Sequence, residues 1–141
     1  MRNMVLSMIG ISILIGILIF SCQPNVSIET AQYAVNGQSL YVTHCQNCHG
    51  AKGEGLGTLY PPLTDTTYLQ QNREKLAHIV KNGLSGPIEI NGITYDGDMP
   101  GIPELSNVDI AYILTYITTT FGNSTETFTQ DEVKKSLQDY R

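Results

Sequence analysis

Cys45, Gln46, Asn47, Cys48 and His49 place two thiols three residues apart with an imidazole directly after the second. That order suits covalent attachment of a haem. Each thiol can add across one of the two vinyl groups of the porphyrin, and His49 is brought under the iron as the proximal ligand. Three other uses of the same residues compete. A redox-active CxxC pair calls for a βαβ pattern around it, which the flanking sequence lacks. A structural zinc site needs four ligands, and no fourth partner is evident beside Cys45, Cys48 and His49. A plain disulfide between Cys45 and Cys48 is the third.

A second axial ligand is sought among the few groups able to bind iron. Met1, Met4 and Met8 lie in the apolar N-terminal stretch, so Met99 is the only methionine beyond it. Methionine is most often a filler of apolar cores, yet Met99 follows Tyr95, Asp96, Gly97 and Asp98, a polar, turn-forming run. It is therefore the candidate sixth ligand, and His with Met is an electron-transfer pairing. His78 competes, but its neighbours Leu76 and Ile79 make it a helix residue, and His44, adjacent to Cys45, is read as structural. With both axial positions filled the iron moves one electron and catalyses nothing itself. The alternative is a haem-based gas or redox sensor, or a peroxidase, with an open sixth position. A third possibility is a conduit docked permanently to one membrane complex, the tether supplying effective concentration.

The elements that must position these groups follow from periodicity. Gly37, Leu40, Tyr41 and His44 recur at helical spacing, which predicts a helix capped by Asn36 and running into the CxxC segment. A second helix is expected over residues 73–82, with Gly83 as its stop. Ser106 with Asp109 forms an approximate capping box before the stripe Ile110, Ile113, Leu114, Ile117, and Gly122 closes that third helix. Asn91 and Gly92 stand between two short alternating runs, a hairpin signal. Residues 50–67, rich in Gly and Pro, read as an irregular loop. So few helices enclose a thin apolar core, and a haem would fill its centre.

Residues 4–20 are almost wholly apolar behind Arg2, and Ser21 precedes Cys22. This reads as an export signal and resembles a bacterial lipoprotein processing box, though Phe20 is bulkier than that box usually carries. The expected division is a signal peptide at 1–21, a linker at 22–35 lipidated at Cys22, a haem domain at 36–122 and a C-terminal extension at 123–141 packing on or trailing the domain. An uncleaved transmembrane anchor is the other reading, because residues 4–20 reach the lower end of the roughly 17–25 residues a span requires. Both put the domain in the cell envelope, on the periplasmic side of the cytoplasmic membrane, on a linker reaching at most about 45 Å.

The chain of 141 residues carries 13 acidic and 8 basic side chains, a net charge of −5. Nucleic acid is excluded as a partner, since no basic run offsets that charge. Three cysteines, two in one CxxC, cannot build a multi-bridge framework. Between residues 50 and 104, four basic side chains oppose seven acidic ones, so no ring of lysines surrounds the site. Any charge-steered redox partner is neutral to basic and associates more slowly as salt rises.

Taken together, these residues resemble a class I c-type cytochrome over about residues 36–120. Gly37 and Tyr41 precede Cys45 by the offsets at which that family's first helix meets its last, and Ile113 and Tyr116 stand at the opposing positions after Met99. Tyr60, Pro61, Pro62 and Leu63 resemble the family's proline loop. The resemblance implies an all-α cytochrome c fold of three to four helices around one covalent haem c, with a small hairpin or loop carrying the Met99 ligand. It further implies that the Pro61 carbonyl holds His49 Nδ1 and that Leu63 packs on the porphyrin. The stretch from Gly83 through Val133 is similar to single-haem domains found free or fused to respiratory enzymes, which often carry Trp where Phe121 stands. Expected partners are an oxidase, reductase or dehydrogenase of a respiratory chain, served by a monomer.

Overall fold

The computed structural model describes residues 26–140. The expected signal peptide at 1–21 and Cys22 lie outside them. Among the described residues there are six helices and four very short strands, so the all-α class holds, with more helices than the three to four expected.

Helix α1 spans Ile28–His44 and is capped by Ser27, whose Oγ accepts the Thr30 N–H. The expected start at Asn36, and with it an irregular linker as far as residue 35, is corrected: Asn36 lies in mid-helix. Thr30 explains the earlier start. It is buried, and its hydroxyl bonds both Ser27 Oγ at 2.8 Å and Thr127 Oγ1 at 2.7 Å, so the first turn is anchored to the far end of the chain. Tyr33 adds an edge-on contact with Tyr112, the ring centroids 4.7 Å apart.

Helix α2, Gln46–His49, is a single turn that carries the CxxCH residues. The loop after it gives way at α3, Thr66–Gln71, sooner than the glycine-rich stretch suggests, because Asp65 Oδ1 accepts the Tyr68 N–H and caps a new helix. Helix α4 spans Arg73–Asn82 and stops at Gly83, as the sequence implies.

Strand β1, Gly83–Leu84, pairs antiparallel with β4, Met99–Pro100, while β2, Ile88–Ile90, and β3, Ile93–Tyr95, form the hairpin about Asn91 and Gly92. Met99 therefore sits outside the hairpin, in a second ladder opposite Leu84, which ties it to the end of α4. Gly83 makes this possible: its φ of +88° suits glycine, and a Cβ there would lie 2.5 Å from the Met99 carbonyl oxygen.

Helix α5, Asn107–Thr120, opens with the full Ser106–Asp109 capping box and buries Ile110, Ile113, Leu114 and Ile117. It crosses α1 at Gly37, where any Cβ would collide with the Tyr112 carbonyl. Tyr41 is fully buried in the same crossing, against Tyr116 at 5.3 Å and Phe121 at 5.4 Å between ring centroids.

Helix α6, Gln130–Asp139, occupies the C-terminal extension and has its own capping box from Thr129 and Glu132. It packs on α4 and α5 through Val133, and Phe128 just before it is buried under the Arg73 guanidinium, 4.3 Å from the ring centroid. Arg73 donates from Nε to Glu132 Oε1 at 3.0 Å and from Nη2 to the Thr127 carbonyl at 3.1 Å. Partial burial acts to raise the Glu132 pKa, but the Thr129 hydrogen bonds and Arg73 outweigh it and hold the carboxyl below its usual value. A depressed folded pKa gives stability that is complete above the unfolded value and is lost as pH falls through the folded one. Wild type should thus exceed Glu132→Gln in thermal midpoint at neutral pH, the gap closing at acid pH below about 4.3. A gap constant down to the acid transition would show that the carboxylate charge contributes nothing.

Candidate functional site

Cys45, Cys48 and His49 line one wall of a largely apolar cavity, and Met99 lines it as well. The α2 turn brings the first three together because the Cys45 carbonyl accepts the N–H groups of both Cys48 and His49. Tyr41, buried in the helix crossing, donates its hydroxyl to the Gly50 carbonyl at 2.6 Å and fixes the exit of that turn. The loop then folds back, with the Gly55 N–H on the His49 carbonyl and the Leu63 N–H on the Gly53 carbonyl, each at 2.8 Å.

This return places the Pro61 carbonyl oxygen 2.9 Å from His49 Nδ1. A carbonyl can only accept, so Nδ1 carries the proton and Nε2 is left as the lone-pair nitrogen. Burial lowers the His49 pKa and favours the neutral ring, the Pro61 hydrogen bond acting the other way. Leu63 also lines the cavity and packs against the main core. Burial, with the neighbouring Cys48, pushes the Cys45 thiol up to about 11. Disulfide exchange proceeds through a thiolate, which this burial disfavours. Among the described residues, no group of three or more His, Cys, Asp or Glu side chains could hold a metal ion without further help.

His78 stands elsewhere. Its Nδ1 is 3.0 Å from Asn82 Nδ2, and it lines a separate surface groove with Lys75 and Tyr140 rather than the cavity. His44 lines the cavity but is exposed. Sequence reasoning did not find Tyr68, Leu84, Ile90 or Tyr95 as cavity residues. For Ile90 and Tyr95 a signal existed, since they alternate inward on the hairpin, whereas Leu84 is positioned only by its pairing with Met99.

The donor set fits one group: two thiols at vinyl spacing, an oriented neutral imidazole, a thioether, and an apolar enclosure. The sequence profile described as Cytochrome c matches residues 34–121. The chain belongs to the cytochrome c family. It is similar to cytochrome c-552 of Thermus thermophilus, 32% identical over 109 residues that cover 71% of this chain and 82% of that protein. A cytochrome c-552 from a second strain of that species is also 32% identical over 109 residues, which cover 71% of this chain and 73% of that protein.

As a cytochrome c, the chain carries one covalently bound haem c, with Cys45 and Cys48 supplying the thioether sulfurs, and its activity is haem-based electron transfer. The family match ends at Phe121, so α6 and its Phe128 anchor lie beyond it. The ring of Phe121, on which the matched region ends, packs edge-on to Tyr116 at 5.5 Å and covers Gly53, where a Cβ would lie 2.9 Å from Phe121 Cδ2.

Proposed function

We propose that this cytochrome c passes single electrons between respiratory redox proteins at the outer face of the cytoplasmic membrane, with His49 and Met99 as axial ligands. The observation that carries the reading is the shared cavity: His49 with Nδ1 committed to Pro61, and Met99 held opposite Leu84 by the β1–β4 ladder. When bound, the haem supplies a one-electron Fe(III)/Fe(II) couple. His49 presents Nε2, and the Pro61 carbonyl fixes its tautomer and raises its basicity. Met99 offers a soft thioether, which favours the reduced state. Leu76, Val80, Leu114 and Ile117 exclude water from the cavity and disfavour the added charge of the oxidised state.

Exposed Asp98 and Leu59 stand at the edge of the cavity. Of the nearby cations, Arg73 is bound to Glu132, and Lys81 Nζ donates to the Pro103 and Leu105 carbonyls, both at 2.6 Å. A partner with a neutral to basic face suits that edge.

The test is a redox titration of the haem-loaded protein, following the visible spectrum in both states with carbon monoxide added to the reduced form. A reversible one-electron step at positive potential, low-spin throughout and indifferent to carbon monoxide, is expected. Low potential with ready carbon monoxide binding would replace the carrier with a sensor or peroxidase. The membrane placement is tested separately: Cys22→Ser should release the protein into the soluble fraction. Its continued sedimentation with membranes would substitute an uncleaved helix for the lipid.

A further inference from the structure

Helix α1 has two apolar faces, of which the fold uses one. Gly37, Tyr41 and Thr30 are buried, and Tyr33 and Leu40 pack against the core. On the opposite side Ile28, Val35 and Val42 are 79%, 69% and 50% exposed. They recur every seven residues, and exposed Ala31 falls between the first two, so at 100° per residue the four form one narrow stripe facing away from the protein. The stripe is about 21 Å long at 1.5 Å per residue. Its flanks are Gln32, Gln38, Ser39 and Thr43, and the only charged residue between 23 and 49 is Glu29. In an acidic protein this is an uncharged, apolar edge.

We infer that this stripe rests on the lipid bilayer, so that α1 lies along the membrane surface. The inference rests on the membrane tether proposed above. Cys22 stands six residues before Ile28, and six residues span at most about 20 Å. Whether lipid or an apolar helix holds the chain, the first turn of α1 is confined to the neighbourhood of the surface, where apolar contact costs little further entropy. With no Lys or Arg on α1, and its one histidine, His44, at the far end from the tether, contact comes from apolar burial of the kind made by interfacial helices. It therefore persists at high salt and on uncharged lipid.

The test uses the full, haem-loaded chain in phosphatidylcholine vesicles. Val35→Cys and, separately, Gln138→Cys at an exposed position of α6 each add one thiol, Cys45 and Cys48 being bound as thioethers, and peptide mapping separates the added thiol from Cys22. Modification by a charged, water-soluble maleimide is followed by mass spectrometry. The thiol at 35 should react about tenfold more slowly than that at 138, the ratio set by about 1.4 kcal/mol of protection, and the ratio should survive high salt. Equal rates in protein that sediments with the vesicles would overturn the inference and leave the tether standing. Protein that does not sediment would overturn both. Protection at 35 that depends on protein concentration and yields a 35-to-35 crosslink would assign the stripe to a second copy instead.

Discussion

Met99→Ala lowers the midpoint potential by more than about 100 mV, a modest part of the roughly 0.8 V that axial ligation can span, and lets carbon monoxide bind the reduced iron. Two effects act together under the proposed ligation. A soft thioether that favours Fe(II) is lost, and the methyl group that replaces it cannot coordinate. The ladder beneath it survives, because β1 and β4 pair through backbone groups that the substitution leaves in place. The fold should accordingly be retained, with an unchanged helical circular dichroism spectrum, which separates loss of a ligand from loss of structure. An unaltered visible spectrum and potential would mean that another group ligates the iron. His78 is poorly placed for that, since it lines the outer groove with Lys75 and Tyr140.

Phe128→Ala has the largest expected effect on stability, a loss of about 3–5 kcal/mol. The ring is only 1% exposed and fills the space between the end of α5 and the start of α6. Its backbone N–H donates to Thr115 Oγ1 at 2.9 Å, and Arg73 covers its face while binding Glu132 and the Thr127 carbonyl. Truncation leaves a cavity, removes the cation–π partner, and loosens Arg73 from the turn that Thr30 also holds through Thr127. Thermal unfolding of the haem-loaded protein should shift down by more than about 10 °C, with faster amide exchange in α6 and in the first turn of α1. A loss below about 1 kcal/mol would show that the C-terminal helix adds little to the domain.

Both predictions depend on elements that were unequally visible in the sequence. The Arg73–Asn82 helix, the Ser106–Asp109 capping box and the Asn91–Gly92 hairpin were legible because each is specified by neighbours within four residues. The start of α1 was not, because Ile28, Val35 and Val42 superimpose an outward stripe on the inward one and blur a single apolar period. Helix α6 carried a signal as clear as that of α5, Thr129 followed by Glu132, but its buried side is little more than Val133, Ser136 and Leu137. The helix is held by α4, so its stability lies in a contact that no local pattern reveals.

By itself the sequence determined the chemistry: the CxxCH spacing and the one methionine beyond the apolar N-terminal stretch follow from residue type and short-range order along the chain, and the family resemblance added Pro61 and Leu63. Only the tertiary structure decided which distant groups share a cavity. Met99 lines it with His49 because a two-residue ladder fastens residues 99–100 to residues 83–84, whereas His78, one turn along α4, faces outward. Two-residue strands leave no periodicity to read, and which face of a helix becomes the inside is set by what packs against it. Covalent spacing fixes the first kind of information, and burial, which needs the whole chain, fixes the second.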